Sequence, residues 1–329
     1  MNTAIVTGAN TGLGFECARA LAETHDWHVV IACRSAEKGR EAVKRVVAQT
    51  RHAEIEAVPI DLASLESVRN FARDYAATRR PPLRALVCNA ATQIVSGRTY
   101  TADGFETTFA VNHLAHFLLV NLMLAQMAPP ARIVVVSSGT HDPKQATGMP
   151  SPLYKSARLL ARPDEDSRPL NDPPGTAGRR AYTTSKLCNL LFAYELERQL
   201  RTDRRAIGTS GRPVTVNAFD PGLMPGTGLA RDYGMLARFA WRFVLPALRP
   251  FVPNVNSAAR SGRALAGMVS EPRFERISGK YFQGTRDVPS SIDSYDPAMA
   301  ADLWESSAAM VRLMPSETML GLKSAPSAA

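Results

Sequence analysis

Short apolar runs and longer helical patterns alternate through the first two-thirds of the chain. Residues 4–7 form the first apolar run, followed by glycines and a helical pattern from about 14 to 23. Residues 28–33 and 55–60 repeat the strand signature, with a helix over 36–48 between them and another capped near Ser64. Further strands are predicted at 85–88, 132–136 and 214–219, and an apolar helical pattern that includes Asn112 runs to about Met127. Near-continuous apolar strands alternating with helices predict a parallel sheet covered on both faces, an α/β doubly wound architecture. Two stretches break the rhythm. Residues 139–180 are rich in Pro, Gly, Ser and charge and read as a long insertion. Residues 223–256 enclose an apolar, arginine-studded segment at 236–245 that reads as a lid with an apolar face. The expected organisation is one domain over 1–322, with 139–180 and 223–256 as substrate-binding insertions and 323–329 as a disordered tail.

At 329 residues and 45% hydrophobic composition, the chain is long enough to bury a large core as a single α/β unit. The formal net charge is +9, but basic residues come scattered or in pairs such as Arg179-Arg180 and Arg204-Arg205. No basic block or aromatic-interleaved patch suits nucleic acid; an anionic cofactor, an acidic substrate or a membrane surface fits this balance. The four cysteines, Cys17, Cys33, Cys88 and Cys188, lack metal or redox spacing and are expected as reduced, packed thiols. Met1-Asn2-Thr3 leads into a strand without a charged or apolar leader, and no uncharged apolar run reaches spanning length. A cytoplasmic protein is expected, with peripheral membrane contact and homo-oligomerisation left open.

Residues 7–14 read Thr-Gly-Ala-Asn-Thr-Gly-Leu-Gly between a predicted strand and a predicted helix. In that setting Gly8 permits a tight turn, Gly12 lets backbone approach a pyrophosphate, and Gly14 allows close helix packing. The helix N-terminus offers unbonded N–H groups and a positive dipole end to phosphates. Thr7, Asn10, Thr11 and Leu13 complete the candidate cofactor turn of a Rossmann-type fold. Arg34 stands 20 positions beyond Gly14, after the second strand, where an acidic residue would bind a ribose 2′-hydroxyl. With Lys38 one helical turn on, the pair suits a 2′-phosphate and favours NADPH over NADH. Asp61-Leu62 follows the third strand, where the carboxylate either bonds an adenine amino group or is only a loop or helix-entry residue. Asn89-Ala90 follows the fourth; small residues leave room for a cofactor there, and Asn89 can tie down neighbouring backbone.

The chemistry comes later in the chain. Tyr182-Thr-Thr-Ser-Lys186 places a phenol and an ammonium on one helical face. A free phenol titrates near ~10, too high for proton transfer at neutral pH, and a neighbouring cation lowers that value. Tyr182 can then protonate a carbonyl oxygen as hydride arrives from a nicotinamide. Ser138 follows the fifth strand, at the carboxyl end where open α/β sheets place ligands, and can orient a substrate oxygen. Asn112 is polar on an apolar helix and needs a partner, for which a water-linked proton path to Lys186 would serve. His113 and His116 flank it and read as packing or surface residues, since no further ligand completes a metal site. Asp220-Pro221-Gly222 and then Thr227 follow the sixth strand, placed to close over the nicotinamide and to hold its carboxamide or a phosphate.

In order and spacing, Thr7-Gly8…Gly12…Gly14, Asn89-Ala90, Asn112, Ser138, Tyr182…Lys186 and Pro221-Gly222 resemble the short-chain dehydrogenase/reductase family across roughly residues 3–320. The resemblance implies a catalytic tetrad of Asn112, Ser138, Tyr182 and Lys186, with Tyr182 as acid/base and Lys186 on the nicotinamide ribose. Residues 86–91, 101–106, 111–117, 185–189 and 227–231 are similar to light-dependent protochlorophyllide oxidoreductases and retinol-dehydrogenase-like reductases. The 44-position gap from Ser138 to Tyr182 and the stretch 301–313, similar to a closing helix, agree with this. One position departs: the pigment enzymes carry a proton-donating cysteine after the Pro-Gly turn, and here Leu223 stands in its place. Three functions follow as expectations. The first is NADPH-dependent reduction of a bulky hydrophobic carbonyl, or the reverse alcohol oxidation. The second is light-driven reduction of a tetrapyrrole C=C bond, and the third a non-catalytic NADPH-binding sensor.

Overall fold

The computed structural model describes residues 1–202, 213–224 and 255–321. Eight strands form one sheet in the order β3-β2-β1-β4-β5-β6-β7-β8. They are β1 (Asn2–Thr7), β2 (Trp27–Cys33), β3 (Ile55–Pro59), β4 (Leu83–Cys88), β5 (Met127–Val136), β6 (Val214–Asp220), β7 (Lys280–Gln283) and β8 (Arg286–Asp287). All neighbours pair in parallel except β7 and β8. Strand order reverses between β1 and β4, which opens a crevice at the carboxyl ends of those strands, where ligands bind in doubly wound folds.

Alternate strand residues feed two cores. Ile5, Val30, Leu86, Ile133 and Val216 point to one face, under α3 (Leu65–Ala77), α5 (Ala115–Leu124), α7 (Pro174–Thr202) and α9 (Pro297–Met310). Val6, Val29, Val87, Val134 and Phe219 point to the other, under α1 (Gly12–Ala22), α2 (Ala36–Thr50) and α8 (Ala258–Ser270). This period-2 exchange makes every central strand apolar on both sides, as the continuous runs in the sequence required. Serine and aspartate side chains cap several helices: Ser35, Ser64, Ser257 and Asp296 accept from first-turn N–H groups of α2, α3, α8 and α9. Each such cap stabilises by about 1 kcal/mol. No side-chain cap is made at Thr11, which precedes α1.

The structure corrects several boundaries. The helical pattern through Asn112 is broken into α4 (Thr107–Phe109), a π-turn at Ala110–Leu114, and α5, and it ends at Leu124. Met127 instead opens β5, which runs five residues earlier than the predicted 132–136, because Pro129-Pro130 masks a strand start in the sequence. The segment 139–180 is not one irregular stretch: α6 (Ala157–Ala161) lies within it, and α7 begins at Pro174, well before Tyr182. The insertion is tied to the closing helix α9, where Asp302 Oδ2 accepts from Tyr154 Oη at 2.6 Å and Ala157 N at 2.9 Å. By length and composition Thr107–Leu124 could cross a membrane, but 83% of it is buried inside the fold. All four cysteines are free and buried.

Sequence reading missed α8, β7 and β8. Small residues conceal α8: a Cβ on Gly262 would lie 2.3 Å from Glu16 Cβ and 2.7 Å from Glu16 C, so only glycine lets α8 meet α1. Arg132, 9% exposed, reaches under the sheet to close the far end of α8. Its Nη1 donates to the carbonyls of Met268 (3.1 Å), Val269 (2.7 Å) and Glu271 (2.8 Å). A guanidinium there satisfies last-turn carbonyls and complements the helix dipole. The lid at 236–245, Thr227, Arg204-Arg205 and the tail 323–329 lie outside the described residues.

Candidate active site

The turn after β1 is held by a single hydroxyl. Thr7 is fully buried, and its Oγ1 accepts from the N–H groups of Asn89 (2.9 Å) and Ala90 (3.0 Å). It also meets His116 Nε2 at 2.9 Å, with the Val87 carbonyl a longer acceptor at 3.3 Å. His116 Nδ1 lies 3.2 Å from the Asn112 carbonyl, which can only accept, so the proton sits on Nδ1 and Nε2 accepts from Thr7. Burial, with Lys186 nearby, pushes the His116 pKa down to about 4 against the pull of that carbonyl, so the ring is neutral. Asn89 Nδ2 donates to the Thr7 carbonyl at 2.7 Å, the backbone tie expected of it.

Gly8 and Gly12 adopt φ of 66° and 60°, as the turn requires. A Cβ on Gly14 would lie 2.5 Å from Asn89 Nδ2 and 2.8 Å from the Gly8 carbonyl. The close packing predicted for Gly14 is thus against the glycine turn and Asn89. The uncapped N-terminus of α1 opens beside this turn.

Arg34 follows β2 directly and Lys38 lies in the first turn of α2; both are exposed. Among the described residues neither enters an ion pair. Asp61 lies in the turn before α3: its Oδ1 accepts from Ala63 N at 3.0 Å, while its own N–H donates to Ser67 Oγ at 2.9 Å. Leu62 is buried.

The Tyr-Lys helix packs against the end of β5. Tyr182 is 6% and Lys186 2% exposed, and Lys186 Nζ lies 5.4 Å from the centroid of the Tyr182 ring. Lys186 Nζ donates to the Val136 carbonyl at 3.2 Å, and Asn189 Nδ2 shares that acceptor at 2.9 Å. Ser137 Oγ donates to the Lys186 carbonyl at 2.8 Å, locking helix to strand. Burial lowers the Lys186 pKa to about 8, and the Asp220 carboxylate opposes that fall. Ser138 is half-buried; its Oγ accepts from Thr140 N at 3.3 Å, opening a short 3-10 turn at Gly139–His141.

Asn112 finds its partners in protein: Oδ1 accepts from Thr92 N at 2.7 Å, and Nδ2 donates to the Thr92 carbonyl and Ser185 Oγ, both at 2.9 Å. The side chain therefore pins the loop following Asn89-Ala90 to α7, through the π-turn that carries it. Beyond β6, Gly222 takes φ of 74° and donates its N–H to Asp220 Oδ1 at 2.9 Å. Pro221 O accepts from Ser261 Oγ (2.7 Å) and Asn256 Nδ2 (3.1 Å). Leu223 is 40% exposed and bridges to Val255.

The carboxyl ends of β1, β2, β3, β4, β5 and β6 thus bring the glycine turn, Arg34, Asp61, Asn89-Ala90, Ser138 and Pro221-Gly222 to one edge of the sheet, with Tyr182 and Lys186 packed beside β5. Three residues of this edge escaped the sequence reading. His141 lay in what read as loop; its Nδ1 donates to the Ser138 carbonyl at 2.6 Å and its Nε2 accepts from Ser291 N at 3.0 Å. Asp220 read as a turn residue yet is 1% exposed, and Ser137 hid behind Ser138.

The short chain dehydrogenase family model matches residues 2–152. The WW domain-containing oxidoreductase of Danio rerio is 37% identical over 310 residues, covering 94% of this chain and 68% of the relative. Protochlorophyllide reductase A, chloroplastic, of Oryza sativa subsp. japonica is 35% identical over 327 residues, covering 94% of this chain and 80% of the relative. The crystal structure of a putative uncharacterized protein from Mycobacterium Paratuberculosis superposes with a TM-score of 0.65 at 28% identity, covering 97% of this chain and 95% of that one. Relatives this similar along nearly its whole length, together with that edge of the sheet, make the chain a member of the short chain dehydrogenase family and an oxidoreductase.

Proposed function

We propose that this chain catalyses NADPH-dependent reduction of a bulky apolar carbonyl, or the reverse alcohol oxidation, with Tyr182 as proton donor in the reductive direction. The observation that carries the reading is the Tyr182–Lys186 pair, buried on α7 and fixed to the end of β5 through the Val136 carbonyl. The residues present fit the cofactor. The α1 N-terminus is left uncapped beside a turn that no Cβ could enter at Gly14, which suits a pyrophosphate. Arg34 and Lys38, exposed and without ion pairs among the described residues, suit a 2′-phosphate. Thr7, Gly8, Asn10, Thr11, Gly12, Leu13, Asp61, Leu62, Asn89, Ala90, Pro221, Gly222 and Thr227 complete the proposed contacts.

When bound, the dinucleotide supplies hydride to the carbonyl carbon. Tyr182 gives its phenolic proton to the carbonyl oxygen as that oxygen gains charge. Ser138 donates a hydrogen bond to the same oxygen, worth most where water is excluded. The Lys186 ammonium steadies the phenolate left on Tyr182 and holds the ribose. Asn112, with its side chain spent on Thr92 and Ser185, positions the helix rather than touching substrate. The exposed apolar Leu223 beside the Pro-Gly turn supports an apolar substrate. Leucine donates no proton, which weighs against the photochemical reading.

The test is oxidation of NADPH in the dark with long-chain aldehydes and retinoids, followed by the reduced cofactor's absorbance. Tyr182→Phe is expected to lower kcat at least ~100-fold with NADPH affinity kept. Arg34→Glu is expected to weaken NADPH, but not NADH, about 10-fold or more, the loss of one charge-assisted bond. Equal turnover by wild type and Tyr182→Phe sinks the reading, and turnover only under illumination favours pigment reduction.

A further inference from the structure

A cavity of about 570 Å³ lies between α7 and the insertion, with Ile94, Phe109, Leu153, Leu159, Leu160 and Leu170 among its apolar walls. Its volume falls in the range of small-molecule sites, roughly 300–1,000 Å³. On α7 it is bounded by Ala177, Gly178, Ala181, Thr184 and Ser185, which share one helical face. Tyr182, Lys186 and Asn189 occupy a different face, about a quarter turn round the axis at ~100° per residue. None of Tyr182, Ser138, Lys186 or Gly222 lines the cavity.

The charged groups on its rim are already matched. Arg98 pairs with Asp164 at 2.9 Å, Lys155 with Asp166 at 2.5 Å and Arg180 with Asp172 at 2.7 Å. Both carboxylate oxygens of Glu106 accept backbone N–H groups, from Thr108 at 3.0 Å and Phe109 at 2.7 Å. The lining hydroxyls are engaged too: Thr184 Oγ1 accepts from Leu153 N at 2.9 Å, and Ser185 Oγ donates to the Tyr182 carbonyl at 2.7 Å. A charged ligand would have to break one of these pairs, whereas an uncharged one need only displace water from apolar walls. Two of those wall residues are exposed large hydrophobics, Leu153 at 36% and Leu170 at 50%. Such side chains on a cavity wall suit an apolar molecule entering from solvent.

We propose that this cavity is a second binding site, separate from the cofactor cleft, for an uncharged, lipid-like small molecule. Binding would rest on buried apolar area, with the insertion as its outer wall.

The test is a fluorescence titration of the full chain with Nile red, an uncharged apolar dye, with and without saturating NADPH. Saturable binding of one dye per chain is expected, unchanged by NADPH and unchanged in Tyr182→Phe. Ala177→Phe, which fills the cavity from α7, is expected to weaken dye binding at least ~10-fold, about 1.4 kcal/mol. Leu170→Glu, a substitution at an exposed wall position that leaves the fold intact, is expected to weaken it in the same direction. Dye displaced by NADPH, dye that raises the KM of a turned-over carbonyl competitively, or dye bound equally by wild type and both variants would overturn the proposal. The NADPH competition and the two wall variants are read whether or not any carbonyl is turned over, so the site and the proposed catalytic function fail separately.

Discussion

Acid should unfold this protein through two histidines that never meet solvent. His113 and His116 are 1% and 2% exposed, on the helix that carries Asn112. Burial, with His116 beside it, pushes the His113 pKa down to about 3; burial, with Lys186 near, pushes His116 to about 4. Unfolded, both rings titrate near ~6.5. Between those values the unfolded chain binds protons that the folded chain refuses, so stability is full above about pH 6.5 and falls as pH drops toward 4. At pH 5 the linkage amounts to about 2 kcal/mol for each ring, or roughly 4 kcal/mol together, a large share of the ~5–15 kcal/mol that holds a typical domain. Urea denaturation at about pH 7.5 and pH 5 measures it, with His113→Gln and His116→Gln as controls. Each substitution costs stability at neutral pH by breaking its bond to Ser307 Oγ or Thr7 Oγ1. Each should also remove about 2 kcal/mol of the difference between the two pH values. Equal stability of wild type at both pH values, or a full slope in both variants, refutes the reasoning.

Thr7→Val removes the hydroxyl bonded by Ala90 N, by His116 Nε2 and, together with the Val87 carbonyl, by Asn89 N; it is expected to cost roughly 2–4 kcal/mol by urea denaturation and to weaken NADPH binding. Gly262→Ala forces α8 off α1, where its Cβ would stand 2.3 Å from Glu16 Cβ, and is expected to cost about 1–3 kcal/mol in the same measurement. Activity should fall as pH rises through about 8, where Lys186 loses its proton. Asp220→Asn removes the carboxylate that sustains that charge, so the falling limb of the kcat profile should move to lower pH; an unmoved limb would count against Lys186 acting as a cation.

Much of this fold is legible in the sequence because the central strands are buried on both sides and therefore write unbroken apolar runs. Ala4-Ile5-Val6 and Val134-Val135-Val136 announce themselves, and the glycine turn between β1 and α1 is explicit in Gly8, Gly12 and Gly14. Where small residues or prolines do the packing, the pattern goes silent. The α8 helix meets α1 through Gly262, which reads as a breaker, and β5 starts through Pro129-Pro130, which reads as loop. The site follows the same rule. Tyr182, Lys186 and Ser138 are marked by spacing and by their order along the chain. His141 and Asp220 gain their roles only from contacts with residues far away in sequence, so no local signal marks them. Asn112 was expected to need a partner, but periodicity could not say that Thr92 backbone would supply it.

The imidazole of His141 spans 150 positions to take the Ser291 amide hydrogen, while its other nitrogen grips the carbonyl of Ser138. Burial holds that ring below its ordinary pKa, which keeps one nitrogen bare for the amide. A cut just upstream of Ser291 would loosen that tie, so the serine proposed to orient the substrate depends on the integrity of a stretch far away in the sequence.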